Sequence, residues 1–151
     1  MAMSIPADLQ WQLVRKSNCY LHKQRGVNKL FSKDPLNMKN VHSQRYCGLV
    51  AEQAVGIIPG ENGKGVTFVC KTKKNKNKPA TSRRKIALNK NGRKTLKTIR
   101  NMMVGGHYRP ELVMLAQRRA SQIIRSQKPV SPKRAGLRGA SGKKTAKTAA
   151  D

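Results

Sequence analysis

The sequence predicts an α+β fold, in which a small antiparallel β-hairpin layer packs with an N-terminal helix and two C-terminal basic amphipathic helices, followed by a flexible basic tail. Apolar side chains recur with a helical period in residues 92–104 and 110–127. Two β-forming stretches flank the turn dipeptide Asn62-Gly63 within residues 48–71, which indicates a long hairpin. Lys and Arg are concentrated in the C-terminal half, where they accompany the helical pattern.

The charge indicates the class of partner. The chain has 151 residues, of which 37% are apolar, and this is enough for one domain with a moderate core. Its 33 Lys and Arg against 6 Asp and Glu give a net charge of +27, which folding does not need, so a nucleic acid is the expected partner. Residues 61–151 hold 25 basic and 3 acidic residues, against 8 and 3 in residues 1–60. The C-terminal half is therefore the predicted binding half.

The N-terminal third gives weaker signals. Asp8 is a candidate N-cap for a helix through LQWQLVRKS, with Trp11 as an expected core anchor; stacking of Trp11 on a nucleic-acid base is the alternative. Alternation on both sides of residues 24–26 predicts a hairpin over residues 19–31. Residues 32–43 show no period beyond an Asp34-Pro35 turn. We expect a loop that something else must order.

The hairpin of residues 48–71 leads into a basic segment. Val66, Phe68 and Cys70 alternate with Thr67 and Val69, which is typical of a strand with one face in the core. No apolar residue occurs between Lys71 and Pro79, so this segment cannot fold by itself. We predict a single RNA-binding domain over residues 1–129 with a basic loop at residues 71–85. Residues 130–151, low in complexity, form a predicted disordered basic tail.

The two C-terminal helices each combine an apolar and a basic face. In the first, Leu96, Ile99 and Met103 share one face, and the glycines at 105 and 106 suit its C-terminus. Pro110 suits the first turn of the second helix, which we expect to end near Gln127. Arg119 breaks the apolar stripe of that helix. Its side chain either reaches past the core to solvent or makes a buried polar contact.

Catalysis and cofactors are not expected. The acids form no close pair in sequence, and no nucleotide-binding or nucleophile motif is present, so we predict no enzyme activity, no cofactor and no small-molecule substrate. A nuclease that uses His22, His42 or His107 as a base lacks an identifiable partner residue or metal. Zinc ligation by Cys19, His22, His42 and Cys47 is disfavoured, because a strand would point the first two to opposite faces.

Composition also bears on location. Three cysteines and no secretory leader indicate a reducing intracellular compartment without disulfides. No apolar run approaches the roughly 20 residues of a membrane span. Neither helix can spare an apolar face for a membrane surface, so we expect a soluble protein without a membrane partner.

Several short segments of the chain form a characteristic series. The most specific are YRPEL at 108–112, RRAS at 118–121 and RSQKP at 125–129. The others are LQWQLVRKSN at 9–18, RYCGL at 45–49, GKGV at 63–66, KPATS at 78–82 and NKN at 89–91. In this order, over roughly residues 8–129, they resemble the eukaryotic L28e family of large-subunit ribosomal proteins. The resemblance implies a small α/β protein of the cytosolic large ribosomal subunit, with nucleolar transit during assembly.

Ribosomal RNA and neighbouring ribosomal proteins are then the expected partners, and a homo-oligomer is not. We predict that RNA is contacted by the basic residues of the loop, helices and tail junction: Lys73, Lys74, Lys76, Lys78, Arg83, Arg84, Lys85, Arg93, Lys97, Arg100, Arg109, Arg118, Arg119, Arg125 and Lys128. Two alternatives stay open. One is a nucleolar pre-ribosomal RNA-binding assembly factor, since the N-terminal region of the assembly factor Mak-sixteen resembles this family. The other is a histone-like DNA-binding protein.

Overall fold

The computed structural model describes residues 5–74, 78 and 80–129 of the chain. The predicted contact Lys76 and the predicted tail at residues 130–151 lie outside the described residues. The α+β prediction is confirmed. The elements in chain order are α1 (Ala7–Val14), β1 (Leu21–Lys23), β2 (Leu30–Ser32), a 3₁₀ turn (Gln44–Tyr46), β3 (Val55–Pro59), β4 (Val66–Lys71), β5 (Arg83–Leu88), α2 (Gly92–Val104), a second 3₁₀ turn (Pro110–Leu112) and α3 (Val113–Ser126).

The main sheet has three antiparallel strands in the order β3-β4-β5. Ile57 pairs with Phe68, which pairs with Ile86, so these side chains share one face. The sequence prediction missed β5 and assigned its first residues to the basic loop of residues 71–85. Arg83, Arg84 and Lys85 concealed this strand, because their charge outweighs the short alternation of Ile86 and Leu88. Both hairpins are confirmed, although β3 begins at Val55, well after the predicted start near Gly48.

One face of the main sheet packs against α2 and α3. Ile99 and Met103 of α2 and Ala116 and Ala120 of α3 are completely buried, together with Val66 of β4. The small side chains of Ala116 and Ala120 let α3 lie close to the sheet. The core is aliphatic apart from Phe68, as the low aromatic content predicts. It also contains Val55, Ile57, Leu112 and Val113.

The opposite face of the sheet is covered by the loop of residues 32–43, for which the sequence did not indicate what orders it. Leu36 packs against Ala54 and Val69 on this face. The buried Asp34 carboxylate accepts hydrogen bonds from the backbone N–H of Leu36 at 3.0 Å and of Gly48 at 2.8 Å. The protein itself therefore orders this loop. Local polar contacts, the longer contact between Asp34 and Gly48, and the packing of Leu36 on the sheet do so, and they leave no periodic pattern to detect.

Two glycines allow the loop to approach the sheet so closely. A Cβ atom on Gly56 would lie 2.5 Å from the carbonyl oxygen of Pro35. A Cβ atom on Gly48 would overlap the Leu36 side chain and lie 2.7 Å from an oxygen of Asp34. The absence of a side chain at both positions is thus a condition of this packing.

Helix α1 differs from its predicted role. It begins at Ala7 after Pro6, so Asp8 lies in the first turn and not at the N-cap; its carboxylate accepts from Nε2 of Gln44 at 2.6 Å. Trp11 is half-buried against His42, with 4.9 Å between ring centroids, and is not a core anchor. Leu9 and Leu13 are 52% and 70% exposed. Helix α1 therefore adds nothing to the main core.

The chain between α2 and α3 reverses at positions that the sequence did not indicate. Gly105 follows α2 in a right-handed conformation, with φ of −66°. The left-handed residues are His107 and Arg109, with φ of 47° and 48°. The left-handed positions that we expected at the glycines after α2 are therefore taken by two non-glycine residues, of which Arg109 is held by its side-chain hydrogen bonds.

Candidate nucleic-acid interface

The exposed face of α2 carries a basic stripe. Arg93, Lys97 and Arg100 occur at intervals of four and three residues, which places them on one side of the helix, and all three are exposed. The other side is the buried one, with Ile99 and Met103 in the core. Lys94 is also exposed on α2 and was absent from the predicted set.

The strand β5 and the connection before it carry further exposed charge. Arg83, Arg84 and Lys85 are exposed and lie on a strand at the edge of the sheet. Lys73, Lys74 and Lys78 are exposed in the connection between β4 and β5. Charged side chains also protect a sheet edge from unwanted strand pairing, so the β5 residues serve the fold as well.

Packing of the two helices brings distant basic residues to one end of the molecule. A Cβ atom on Gly92, at the start of α2, would lie 3.9 Å from Cγ2 of Ile124, near the end of α3. Gln127 donates from Nε2 to the carbonyl oxygen of Gly65 at 2.8 Å, which holds the end of α3 against the turn between β3 and β4. The exposed residues gathered at this end are Lys64, Lys90, Arg93, Arg125 and Lys128. Glu61 lies in the same turn.

The two remaining arginines of α3 differ from each other in exposure. Arg118 is exposed, whereas Arg119 is half-buried. Arg119 opens into a cavity of about 370 Å³. It forms no hydrogen bond or ion pair with the part of the chain that the structure describes. Of the two roles considered from the sequence, the structure supports the side chain that reaches past the core.

Arg109 has a different environment from the other predicted contacts that the structure describes. Its Nη1 donates to the carbonyl oxygen of Gln53 at 3.3 Å, and its Nη2 donates to that of Arg45 at 2.9 Å. The same guanidinium binds Glu111, with 2.6 Å between Nη2 and Oε1. Its side chain is only 16% exposed. This arginine joins three segments of the protein, which is a structural role that the sequence did not reveal.

Internal contacts occupy several of the few acids. Glu111 also pairs with Arg45 at 3.4 Å, and hydrogen bonding from Arg109 lowers the pKa of the Glu111 carboxyl. Asp34 is bound by backbone N–H groups, and Asp8 by Gln44. Apart from Arg45 and Arg109, none of the basic side chains that the structure describes forms an ion pair with Glu111, Asp34 or Asp8. These three acids therefore leave the exposed basic stripe of α2 without a neutralising partner.

Tyr108 connects the segment between α2 and α3 to the sheet. Its hydroxyl donates to the carbonyl oxygen of Lys71 at 2.8 Å and accepts from the N–H of Ala54 at 3.1 Å. Burial raises the pKa of this phenol. Nearby, Lys71 donates from Nζ to the carbonyl oxygens of Leu49 and Ala51, both at 3.1 Å, and burial lowers its pKa. Both residues were missed, because nothing local in sequence marks such contacts.

Among residues 5–74, 78 and 80–129, no three His, Cys, Asp or Glu side chains are close enough to hold a metal ion. His42 instead bonds through Nε2 with the carbonyl oxygen of Arg15 at 2.9 Å. Cys47 is buried and Cys19 is exposed. The candidate zinc ligands therefore do not converge. In the same described residues, no helix has the length and apolar character to cross a membrane.

Comparison with known proteins finds a family and several relatives of this chain. Residues 9–126 match the model of the ribosomal L28e protein family. The chain is 37% identical over 130 residues to the large ribosomal subunit protein eL28 of Schizosaccharomyces pombe, and the matched region covers 84% of this chain and 96% of that protein. It is 34% identical over 119 residues to the eL28 protein of Caenorhabditis elegans, and this match covers 79% of this chain and 88% of that protein. The protein of that name from Dictyostelium discoideum is 29% identical over 132 residues, covering 85% and 96%. The chain therefore belongs to the ribosomal L28e protein family.

Proposed function

We propose that this protein is a structural constituent of the large subunit of the cytosolic ribosome and binds ribosomal RNA. The observation that carries this proposal is the family match over residues 9–126, together with relatives that are named large ribosomal subunit proteins. The exposed basic stripes supply the physical means. The protein acts in translation by its place in the particle, without catalysis and without a cofactor. It passes through the nucleolus during assembly.

The contacts are electrostatic and read the shape of folded RNA. Each Lys or Arg that neutralises a phosphate releases condensed counterions, so affinity falls steeply with salt. A-form RNA presents phosphates and 2′-hydroxyls on its surface, while side chains cannot read its narrow major groove. We assign these contacts to the exposed residues of the connection, strand and helices: Lys73, Lys74, Lys78, Arg83, Arg84, Lys85, Arg93, Lys97, Arg100, Arg118, Arg125 and Lys128. Lys76 remains in the predicted set on its sequence alone.

Arg109 and Arg119 have separate roles in this proposal. Arg109 positions the chain between α2 and α3, because internal oxygens already occupy its donors. Arg119 remains open to RNA through the cavity that it lines. Neighbouring ribosomal proteins are the other expected partners.

Sedimentation of the tagged chain tests the proposal. We expect the chain to migrate with large subunits and polysomes, and to stay there through a high-salt wash because the steep loss of affinity with salt starts from a high affinity that many contacts supply together. Confinement to nuclear precursor particles would support the assembly-factor alternative. Migration with chromatin, or release to the top of the gradient, would contradict the ribosomal proposal.

The strand β5 offers a direct test of the contact surface. Replacing Arg83, Arg84 and Lys85 by Ala should weaken binding to large-subunit ribosomal RNA and reduce the salt slope by up to about 0.7 to 0.9 per lost phosphate contact. The matched control replaces Arg15, Lys16 and Arg25 by Ala, since these exposed residues carry the same total charge and lie outside the predicted contacts. Equal reductions in slope for both variants would show a general charge effect and no specific contact by β5.

A further inference from the structure

The open cavity beside Arg119 is bounded by four separate parts of the fold. The β1-β2 hairpin contributes His22 and Phe31, and the loop after it contributes Lys33 and Asn40. Ile58 of β3 and Arg119 of α3 complete the walls. Its volume of about 370 Å³ lies within the range of roughly 300–1,000 Å³ for sites that hold small molecules. A single flat group can therefore enter it.

Two aromatic rings line one side of this cavity. His22 and Phe31 are opposite each other in the register of β1 and β2, so their side chains project from the same face of the hairpin. His22 is exposed and Phe31 is half-buried. Only 4% of the residues are aromatic, yet this cavity has Phe31 as well as an imidazole ring on one wall. Such a surface is suited to stacking against a planar ring.

The charge in the cavity favours an anion next to that ring. Arg119 is half-buried and has no hydrogen-bonded or ionic partner in the described part of the chain, and Lys33 is a second cation of the wall. The acid of the wall is Asp34, whose two oxygens already accept from the N–H groups of Leu36 and Gly48. An arginine with free donors binds phosphate oxygens through two parallel hydrogen bonds.

The sheet edge adds hydrogen-bonding groups. Strand β3 lies at the outside of the β3-β4-β5 sheet, and both Ile57 and Ile58 line the cavity. An edge strand presents backbone N–H and C=O groups that no neighbouring strand binds. The exposed amide of Asn40 lies on the same wall. These groups match the donors and acceptors on the edge of a nucleobase.

We propose that this cavity holds one unstacked nucleotide of the bound RNA, an inference that rests on the RNA binding proposed above. The base stacks on Phe31 and His22, and its phosphate binds Arg119 and Lys33. Bases at bulges and loops of folded RNA are recognised in this way, by stacking on aromatic and arginine side chains. An acidic peptide of a neighbouring protein would pair with Arg119 and Lys33, but it has no planar base to stack on the two aromatic rings.

Ultraviolet crosslinking in purified large subunits tests the proposal without a variant. Trypsin cleaves after Lys29 and Lys33, so Phe31 is recovered in the peptide Leu30–Lys33 and His22 in the peptide Ser17–Lys23. After nuclease treatment, we expect a nucleotide adduct on one or both peptides. A nuclease-resistant adduct to a second peptide would overturn the proposal in favour of a protein occupant. If the chain is present in subunits and only other peptides carry nucleotides, the cavity proposal fails while the ribosomal function stands.

Binding measurements separate stacking from charge. Phe31→Leu should weaken affinity for large-subunit ribosomal RNA by about five-fold or more with an unchanged salt slope, because the lost contact carries no charge. Phe31→Tyr keeps the ring and should bind like the unaltered chain, which excludes a mere loss of folding at this position. Arg119→Ala, which removes the cavity arginine, should lower both affinity and slope. Unaltered binding by Phe31→Leu would overturn the nucleotide site, whatever Arg119→Ala shows.

Discussion

Residues 55–127 and residues 5–50 are stabilised by different interactions. In the first region, two helices and a sheet enclose completely buried apolar side chains such as Ile99, Met103 and Val66. In the second, α1 has no buried residue, and the loop after β2 is organised by Asp34 and by the buried Asn37, whose amide donates to the carbonyl oxygen of Val41 at 2.9 Å. The stabilisation from buried apolar side chains adds up over many residues and tolerates the loss of one, whereas a network of polar hydrogen bonds depends on each of its members.

The comparison also bears on the proposed RNA binding. Charge repulsion among basic side chains opposes folding. The C-terminal region can carry most of the basic residues because its apolar core offsets that repulsion. The N-terminal region has no comparable core and has fewer charges. Its contribution is instead a shaped surface, which includes the cavity lined by His22 and Phe31.

The largest expected effect comes from the apolar core. Met103→Ala removes a completely buried side chain and should lower the free energy of unfolding by about 2–5 kcal/mol. Met114→Ala makes the same change at a side chain that is 59% exposed, so we expect an effect within about 0.5 kcal/mol. Urea denaturation of both variants measures the difference. Similar losses would contradict the buried position of Met103.

The next effect should be confined to the N-terminal region. Asp34→Ala leaves the N–H groups of Leu36 and Gly48 without their acceptor, at an expected cost of about 1–3 kcal/mol. Native-state hydrogen exchange should show faster exchange of these two amides, with smaller changes in β4. Asp8→Ala is the matched control, since Asp8 is exposed. Equal acceleration across β4 would show that the two regions unfold as one unit.

A smaller effect is expected at Tyr108, where the segment between α2 and α3 contacts the sheet. Tyr108→Phe removes a hydroxyl that bonds to Ala54 and Lys71, and should cost about 1–2 kcal/mol by urea denaturation. Tyr46→Phe is the control, because the ring that lies 5.2 Å from Nζ of Lys39 is retained. A neutral Tyr108→Phe variant would mean that water satisfies the freed backbone groups.

The smallest effect concerns the exposed acid between α2 and α3. Glu111 is 43% exposed, so its pairs with Arg45 and Arg109 should contribute less than about 1 kcal/mol. Its pKa is lowered in the folded state, so this stability is present above the ordinary glutamate pKa and is lost as pH falls through the lowered value. Glu111→Gln should therefore be slightly less stable at neutral pH and equal to the unaltered chain in acid. Thermal unfolding against pH measures this, with Glu61→Gln as the control. A difference that grows in acid would contradict the assigned sign.

Local patterns predicted the elements with the strongest periods. The predicted first C-terminal helix coincides with α2 at Gly92–Val104, and α3 with its preceding 3₁₀ turn falls within one residue of the prediction. These elements form because regular apolar spacing creates one face that must be buried. The strand β5 escaped prediction, since half of it is charged and only its pairing with β4 identifies it.

The basic composition of the candidate interface could be predicted from the sequence, but the positions of its arginines in the folded protein could not all be predicted. An excess of Lys and Arg is visible in any sequence, and exposure of Arg93, Lys97 and Arg100 follows from the helix that carries them. The internal use of Arg109 and the cavity beside Arg119 could not be predicted from sequence. Both depend on which oxygens or cavities the packed chain brings within reach of an arginine.

Patterns within the sequence established the α+β class and the basic character of the C-terminal half, and its short motifs indicated the family. These follow from periodicity, from net charge and from short motifs, all of which are local or additive properties. Only the tertiary structure decided that Asp34 and Tyr108 hold the loops, that β5 carries three of the basic residues, and that a cavity forms beside Arg119. The physical reason is that hydrogen bonds and cavities depend on the positions of residues distant in sequence, which apolar packing establishes when the chain folds.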